Sequence, residues 1–94
     1  MKNTPESRVK ARIKTRLGGM GAWYFMPFAG VMGRIGIPDF IGCIAGKFFA
    51  IEAKAGTGKP TRIQAATIDK IRTAGGVALV VNEANADTFT LDNT

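Results

Sequence analysis

The first seventeen residues carry a pattern that suits two elements equally. Val9, Ala11, Ile13, Thr15 and Leu17 interleave with Arg8, Lys10, Arg12, Lys14 and Arg16, the period of a half-buried strand. Val9, Ile13 and Leu17 also fall at i, i+4 and i+8, the stripe of a helix. The start signals select the helix. Thr4 can cap it, Pro5 suits its first position, Glu6 favours its first turn, and Gly18-Gly19 is a stop signal. A helix is therefore expected over residues 5–17.

Beyond this helix the chain reads mainly as strand. Residues 22–28 are rich in aromatics and predict a first strand, after which Gly30, Gly33 and Gly36 punctuate the chain. Residues 37–44 and 47–55 predict a second and a third strand, with a turn near Ala45-Gly46. Gly56-Thr57-Gly58-Lys59-Pro60 is a loop, residues 61–74 a second helix closed by Gly75-Gly76, and 77–82 a short apolar run typical of a buried strand. Beyond Glu83 the chain is polar and weakly patterned, with a last strand expected around 88–91. The expected order is α-β-β-β-α-β, an α/β fold with a small mixed β-sheet flanked by helices. Ninety-four residues bury one modest core, so a single domain over 1–94 is expected, its core at about 4–82 and a variable tail at 83–94. A two-domain enzyme with a cleft between domains is excluded.

Composition then narrows the chemistry. Histidine is absent, which removes an imidazole base, a Ser-His-Asp triad and any histidine-ligated metal. Cys43 is the single cysteine, so neither an internal disulfide nor a zinc cluster of cysteines is available. The net charge of +6 is unevenly spread: residues 1–62 hold eleven basic side chains and three acids, residues 63–94 two and four. That makes +8 for the first part and −2 for the second, a balance that favours a polyanionic partner. The uncharged stretch 19–33 is too short for a membrane span and is broken by Pro27 and several glycines. No signal-type apolar run opens the sequence, so a cytoplasmic protein with no membrane partner is expected.

Two glycine patterns resemble phosphate loops and fail on spacing. Upstream of Gly58-Lys59 the glycine of a P-loop is replaced by Ala53, and Pro60 stands where its Ser/Thr belongs. Gly30, Gly33 and Gly36 lack the dinucleotide spacing and precede a strand. The constellation that survives is Pro38-Asp39 with Glu52-Ala53-Lys54 thirteen residues later. Side chains two apart on a strand share a face, so Glu52 and Lys54 point the same way. If the strands around Asp39 and Glu52 pair as a hairpin, the two carboxylates meet. Close carboxylates repel unless a cation lies between them, and magnesium accepts such an oxygen set while keeping several waters. Lys54 beside that metal would orient water and offset charge developing on phosphorus. Two bland readings compete, a Glu/Lys strand edge and a turn aspartate after proline.

Pro38-Asp39 with Glu52-Ala53-Lys54 resembles the PD-(D/E)xK nuclease superfamily, and the whole chain looks like a standalone VRR-NUC domain, the virus-type replication and repair nuclease. The supporting pieces are the early helix bearing Glu6, Gly33-Arg34-Ile35-Gly36-Ile37-Pro38-Asp39, Phe48-Phe49-Ala50-Ile51-Glu52-Ala53-Lys54, Thr61-Arg62-Ile63-Gln64, and Ala74-Gly75-Gly76 leading into Val77–Val81. The resemblance spans about residues 4–82. It implies phosphodiester cleavage with a divalent metal, Mg2+ or Mn2+, and similarity to Holliday-junction resolvases that act as homodimers on four-way DNA. Asp39 and Glu52 would then ligate metal together with the backbone carbonyl of Ala53, and Lys54 would be the catalytic lysine. Glu6 and Gln64 would be further catalytic positions. A bulkier apolar residue is usual at the place of Ala53, a minor departure. Glu6 has a rival role at the helix dipole, and Gln64 stands at the capping-box distance from Thr61.

Arg8, Arg12, Arg16, Arg34, Lys47, Lys59 and Arg62 are the candidate clamps on the DNA backbone. In so short a chain, recognition of DNA shape is expected rather than of sequence. The aromatic stretch 20–28 suits either the core or a dimer surface. The alternatives are a nicking, flap or restriction-type endonuclease and a non-catalytic DNA-binding module.

Overall fold

The computed structural model of the chain describes residues 3–28 and 35–92. Arg34, one of the expected DNA clamps, lies outside the described residues. The first helix, α1, spans Pro5–Met20; Thr4 Oγ1 accepts the Ser7 N–H at 3.1 Å as its N-cap. It runs past the stop expected at Gly18-Gly19. Both glycines lie in its last turn, and termination falls to Gly21, whose φ of 72° is the left-handed conformation that ends helices. Strands β1 (Trp23–Phe25), β2 (Phe40–Ile44) and β3 (Lys47–Ala53) follow, then helix α2 (Arg62–Thr73) and strand β4 (Val77–Val81). The order α-β-β-β-α-β is the one the sequence predicts. Strands one to three are shorter than their apolar runs, because pairing and not hydrophobicity sets their ends.

The sheet order is β1-β2-β3-β4, antiparallel at the first two junctions and parallel at the third. A two-residue turn, Ala45 (φ 50°) and Gly46 (φ 80°), joins β2 to β3, and positive φ at both positions matches the natural twist of a hairpin. The helix α2 is the crossover that parallel strands require. At Gly42 any Cβ would collide with the Trp23 carbonyl and the Phe49 ring, so glycine sets how closely β1 approaches β2.

Val9, Ile13 and Leu17 of α1 pack on Phe40, Phe49, Ile51, Ala53, Val77 and Val81 from one face of the sheet. The segment after β4 completes that core. No strand forms around 88–91; residues 83–88 are turns instead, and Ala86, Phe89 and Leu91 are all buried against the same cluster. Arg12 holds this tail with two bonds to Asp87 (3.1 and 2.8 Å) and one to the Glu83 carbonyl (3.1 Å). Arg16 donates to the Phe89 carbonyl at 2.6 Å and lies over the Phe89 ring. The opposite face of the sheet is only partly covered by α2. Trp23, Cys43 and Phe48 are cross-strand neighbours there and all are exposed. Among the described residues no helix is long and apolar enough to cross a membrane.

Candidate active site

The site forms where the β2–β3 hairpin opens away from its turn. Phe40 pairs with Ile51, so the next step outward puts Asp39 opposite Glu52. The hairpin thus brings together two carboxylates thirteen residues apart. Asp39 is fixed by its own strand partner: Oδ2 accepts the Ala53 N–H at 2.8 Å. Glu52 is 3% exposed, and its Oε2 accepts from Gln64 Nε2 at 3.0 Å and faces Lys54 Nζ at 3.4 Å. Alternation along β3 puts Glu52 and Lys54 on one face, as the spacing predicts.

Gln64 does two jobs at once. Its Oε1 accepts the Thr61 N–H at 2.8 Å while Thr61 Oγ1 accepts the Gln64 N–H at 3.2 Å, a complete capping box for α2. The remaining amide nitrogen is therefore turned to Glu52. The capping box and the bond to Glu52 coexist in this residue.

The other Glu52 oxygen, Oε1, is buried and has no hydrogen-bond partner among the described residues. A buried carboxylate oxygen in that condition is costly unless it is protonated or meets a cation. Burial pushes the Glu52 carboxyl up to about 7; the Asp39 charge pushes the same way, and Lys54 draws it part of the way back. A buried carboxylate with an unsatisfied oxygen, beside a second carboxylate, offers the oxygen ligands that a hard divalent cation takes. Among the described residues no three acidic or cysteine side chains stand close enough to cage a metal, so two carboxylates are the protein's side-chain offer. The Ala53 carbonyl lies on the same strand segment, one residue from Glu52.

Glu6 stands off from that pair. It is linked through Lys10, whose Nζ lies 3.4 Å from Glu6 Oε2 and 3.6 Å from Asp39 Oδ1. Lys10 did not stand out in the sequence, although it follows Glu6 at the i, i+4 spacing of a helical ion pair.

No protein-family model matches the sequence, and no curated protein matches it. A solved structure of a VRR_NUC domain superposes with a TM-score of 0.75, covering 90% of this chain and 92% of that one at 26% sequence identity. The fold is that of a VRR_NUC domain.

In this VRR_NUC fold the expected basic residues divide into three groups. Arg12 and Arg16 are occupied at the tail, and Arg8 donates to the Asn3 carbonyl at 3.0 Å. Lys59 and Arg62 are exposed on the segment of chain between Lys54 and Gln64. Lys47 is exposed at the far end of β3, five residues and roughly 16 Å along the strand from Glu52. The aromatic stretch splits as well. Met20, Ala22 and Tyr24 pack on the core, whereas Trp23 (67%), Phe25 (48%) and Phe28 (89%) are exposed.

Proposed function

We propose that this chain is a divalent-metal-dependent DNA endonuclease of the PD-(D/E)xK type. The observation that carries the reading is the buried Glu52 carboxylate beside Asp39, with one oxygen held by Gln64 and Lys54 and the other unsatisfied among the described residues. Buried carboxylates of this kind, with a specific charge partner, concentrate at functional sites. The VRR_NUC fold and the excess of basic charge point to the same substrate class.

Asp39 Oδ1, Glu52 Oε1 and the Ala53 carbonyl are the groups that would hold Mg2+ or Mn2+. The bound ion supplies Lewis-acid charge and an acidified water. The protein does the rest by position. Ala53 N–H holds Asp39 Oδ2 and Gln64 holds Glu52 Oε2, which leaves Glu52 Oε1 unpartnered among the described residues and Asp39 Oδ1 facing only the Lys10 ammonium at 3.6 Å. Lys54 Nζ, 17% exposed at its side chain, keeps a positive charge beside the pair and is placed to offset charge developing on a phosphate. Lys59 and Arg62, exposed between Lys54 and Gln64, serve as contacts to the DNA backbone.

The exposed aromatics give the reading its assembly. Trp23, Phe25, Met26 and Phe28 form an uncharged surface on an otherwise basic chain, the kind of patch on which a second copy packs. A two-fold dimer presents two sites to opposed strands, which suits a four-way junction. The test is cleavage of labelled four-way-junction DNA with Mg2+ or Mn2+, beside a linear duplex and a chelator control. Paired symmetric cuts on the junction with the duplex spared are expected. Cutting of linear duplex at equal rate would make this a general or restriction-type endonuclease, and binding without cutting would make it a binding module.

A further inference from the structure

The two oxygens of Asp39 are in different hands. Oδ2 is consumed by the Ala53 N–H at 2.8 Å, which leaves Oδ1 as the oxygen free to meet a cation. That oxygen already faces one, the Lys10 ammonium at 3.6 Å, whose other partner is Glu6 Oε2 at 3.4 Å. The Lys10 side chain is 28% exposed and the Asp39 side chain 22%, so solvent screens this contact only in part. Lys10 projects from α1, one turn after Glu6 and between the buried positions Val9 and Ile13, so its backbone is rigidly placed while its four-carbon stem is free to swing.

We propose that Lys10 is the site's exchangeable counter-ion: its ammonium competes with a divalent cation for Asp39 Oδ1 and, once displaced, turns to the substrate phosphate. The proposal rests on the metal-dependent reading above. A cation between Asp39 and Glu52 places two positive charges near an ammonium that shares one of its ligand atoms, and like charges at that range repel. The released lysine keeps its reach and its three donors, and a phosphate held near Lys54 is the nearest new source of negative charge. Lys10 is on this account a positioning and substrate-contacting residue, distinct from Lys54. A purely structural brace of Asp39 predicts the opposite sign: removing it would loosen the carboxylate and weaken metal binding.

Calorimetric titration of Mn2+ into the wild-type chain, Lys10→Met and Lys10→Arg separates the two. Lys10→Met is expected to bind Mn2+ roughly fivefold tighter, with Lys10→Arg near wild type. Junction binding is then measured in a Lys54→Ala background, which removes cutting. There Lys10→Met is expected to cost about fivefold in affinity with Mn2+ present and little in chelator. Equal or weaker Mn2+ binding by Lys10→Met overturns the proposal and leaves the nuclease reading intact. No Mn2+ binding by the wild type, with Glu52→Gln titrating identically, overturns both. Should Lys10→Met fail to fold, Lys10→Gln carries the same measurements.

Discussion

Two charged regions of this small protein are built on opposite principles. Around the tail, Arg12 meets Asp87 with two bonds and the Glu83 carbonyl with a third, and Arg16 covers the Phe89 ring while bonding its carbonyl. These donors find acceptors at the surface, and the paired groups titrate in the stabilising sense: the Asp87 carboxyl is held down by the Arg12 hydrogen bond and Arg12 is raised by Asp87. Around Glu52 the reverse holds. A carboxylate is buried, one of its oxygens has no partner among the described residues, and its pKa is pushed up by the loss of water. The tail latch is arranged for the folded state as it stands. On the proposed metal-dependent reading, the Glu52 site trades stability of the folded chain for a place to hold a cation.

The comparison can be broken at several points, the largest effect first. Lys54→Ala should lower metal-dependent junction cleavage by about a hundredfold or more, far beyond what its loss of stability as the partner of buried Glu52 explains; a gel-based cleavage series at a temperature where thermal melts show both proteins folded checks this. If cutting persists, Lys54 has no part in the chemistry. Phe89→Ala should destabilise by about 3 kcal/mol in urea unfolding, since its ring is buried in the core despite lying outside every helix and strand. A loss within error would show the tail to be an appendage.

Glu52→Gln should do what core substitutions seldom do and stabilise the protein relative to wild type, increasingly as pH rises from 4.5 to about 7 and fully above that, in the absence of divalent metal. Linkage sets the sign. A carboxyl raised from an ordinary 4.5 to about 7 in the folded state contributes stability below 4.5 and loses it as pH rises through 7. The wild type should therefore lose up to about 3 kcal/mol between pH 4.5 and 8 that Glu52→Gln does not lose. Melting both proteins at the two pH values reads the difference. Parallel curves would mean that Glu52 is already ionised without strain. Added Mg2+ should restore much of the wild-type loss at pH 8 and leave Glu52→Gln unmoved.

The smallest effect belongs to the latch. Asp87→Ala should lower the melting temperature slightly at neutral pH, and the difference from wild type should fade in about 1 M salt, where the Debye length shrinks to roughly 3 Å. It should fade as well when pH falls below the ordinary aspartate range, because a depressed carboxyl gives its stability only while ionised. A large, salt-independent loss would instead make this exposed pair a pillar of the fold.

How far the sequence foretells the structure depends on how local each signal is. The approach of Gln64 to Glu52 is implied by the family resemblance alone. The meeting of Asp39, Glu52 and Lys54 follows from strand alternation and one hairpin, and the capping role of Gln64 from a four-residue helix start, each needing only neighbouring residues. The order of elements was legible for the same reason. The tail was not, because Ala86, Phe89 and Leu91 keep neither a helical nor a strand period and are buried by contacts to α1 some seventy residues earlier. For that reason Arg12 and Arg16, which read as part of a basic face, turn out to be occupied at the tail. The i, i+4 spacing of Glu6 and Lys10 was visible, but its reach to Asp39 depends on how α1 lies across the sheet.

Gln64 joins two events usually treated apart. The amide oxygen that closes the first turn of α2 and the amide nitrogen that steadies Glu52 belong to one rigid planar group. When that turn frays, Glu52 loses its anchor at the same moment, and when the anchor holds, the Thr61 N–H is shielded. The rate at which the Thr61 amide exchanges its proton with solvent is thus a clock for how often Glu52 loses that anchor.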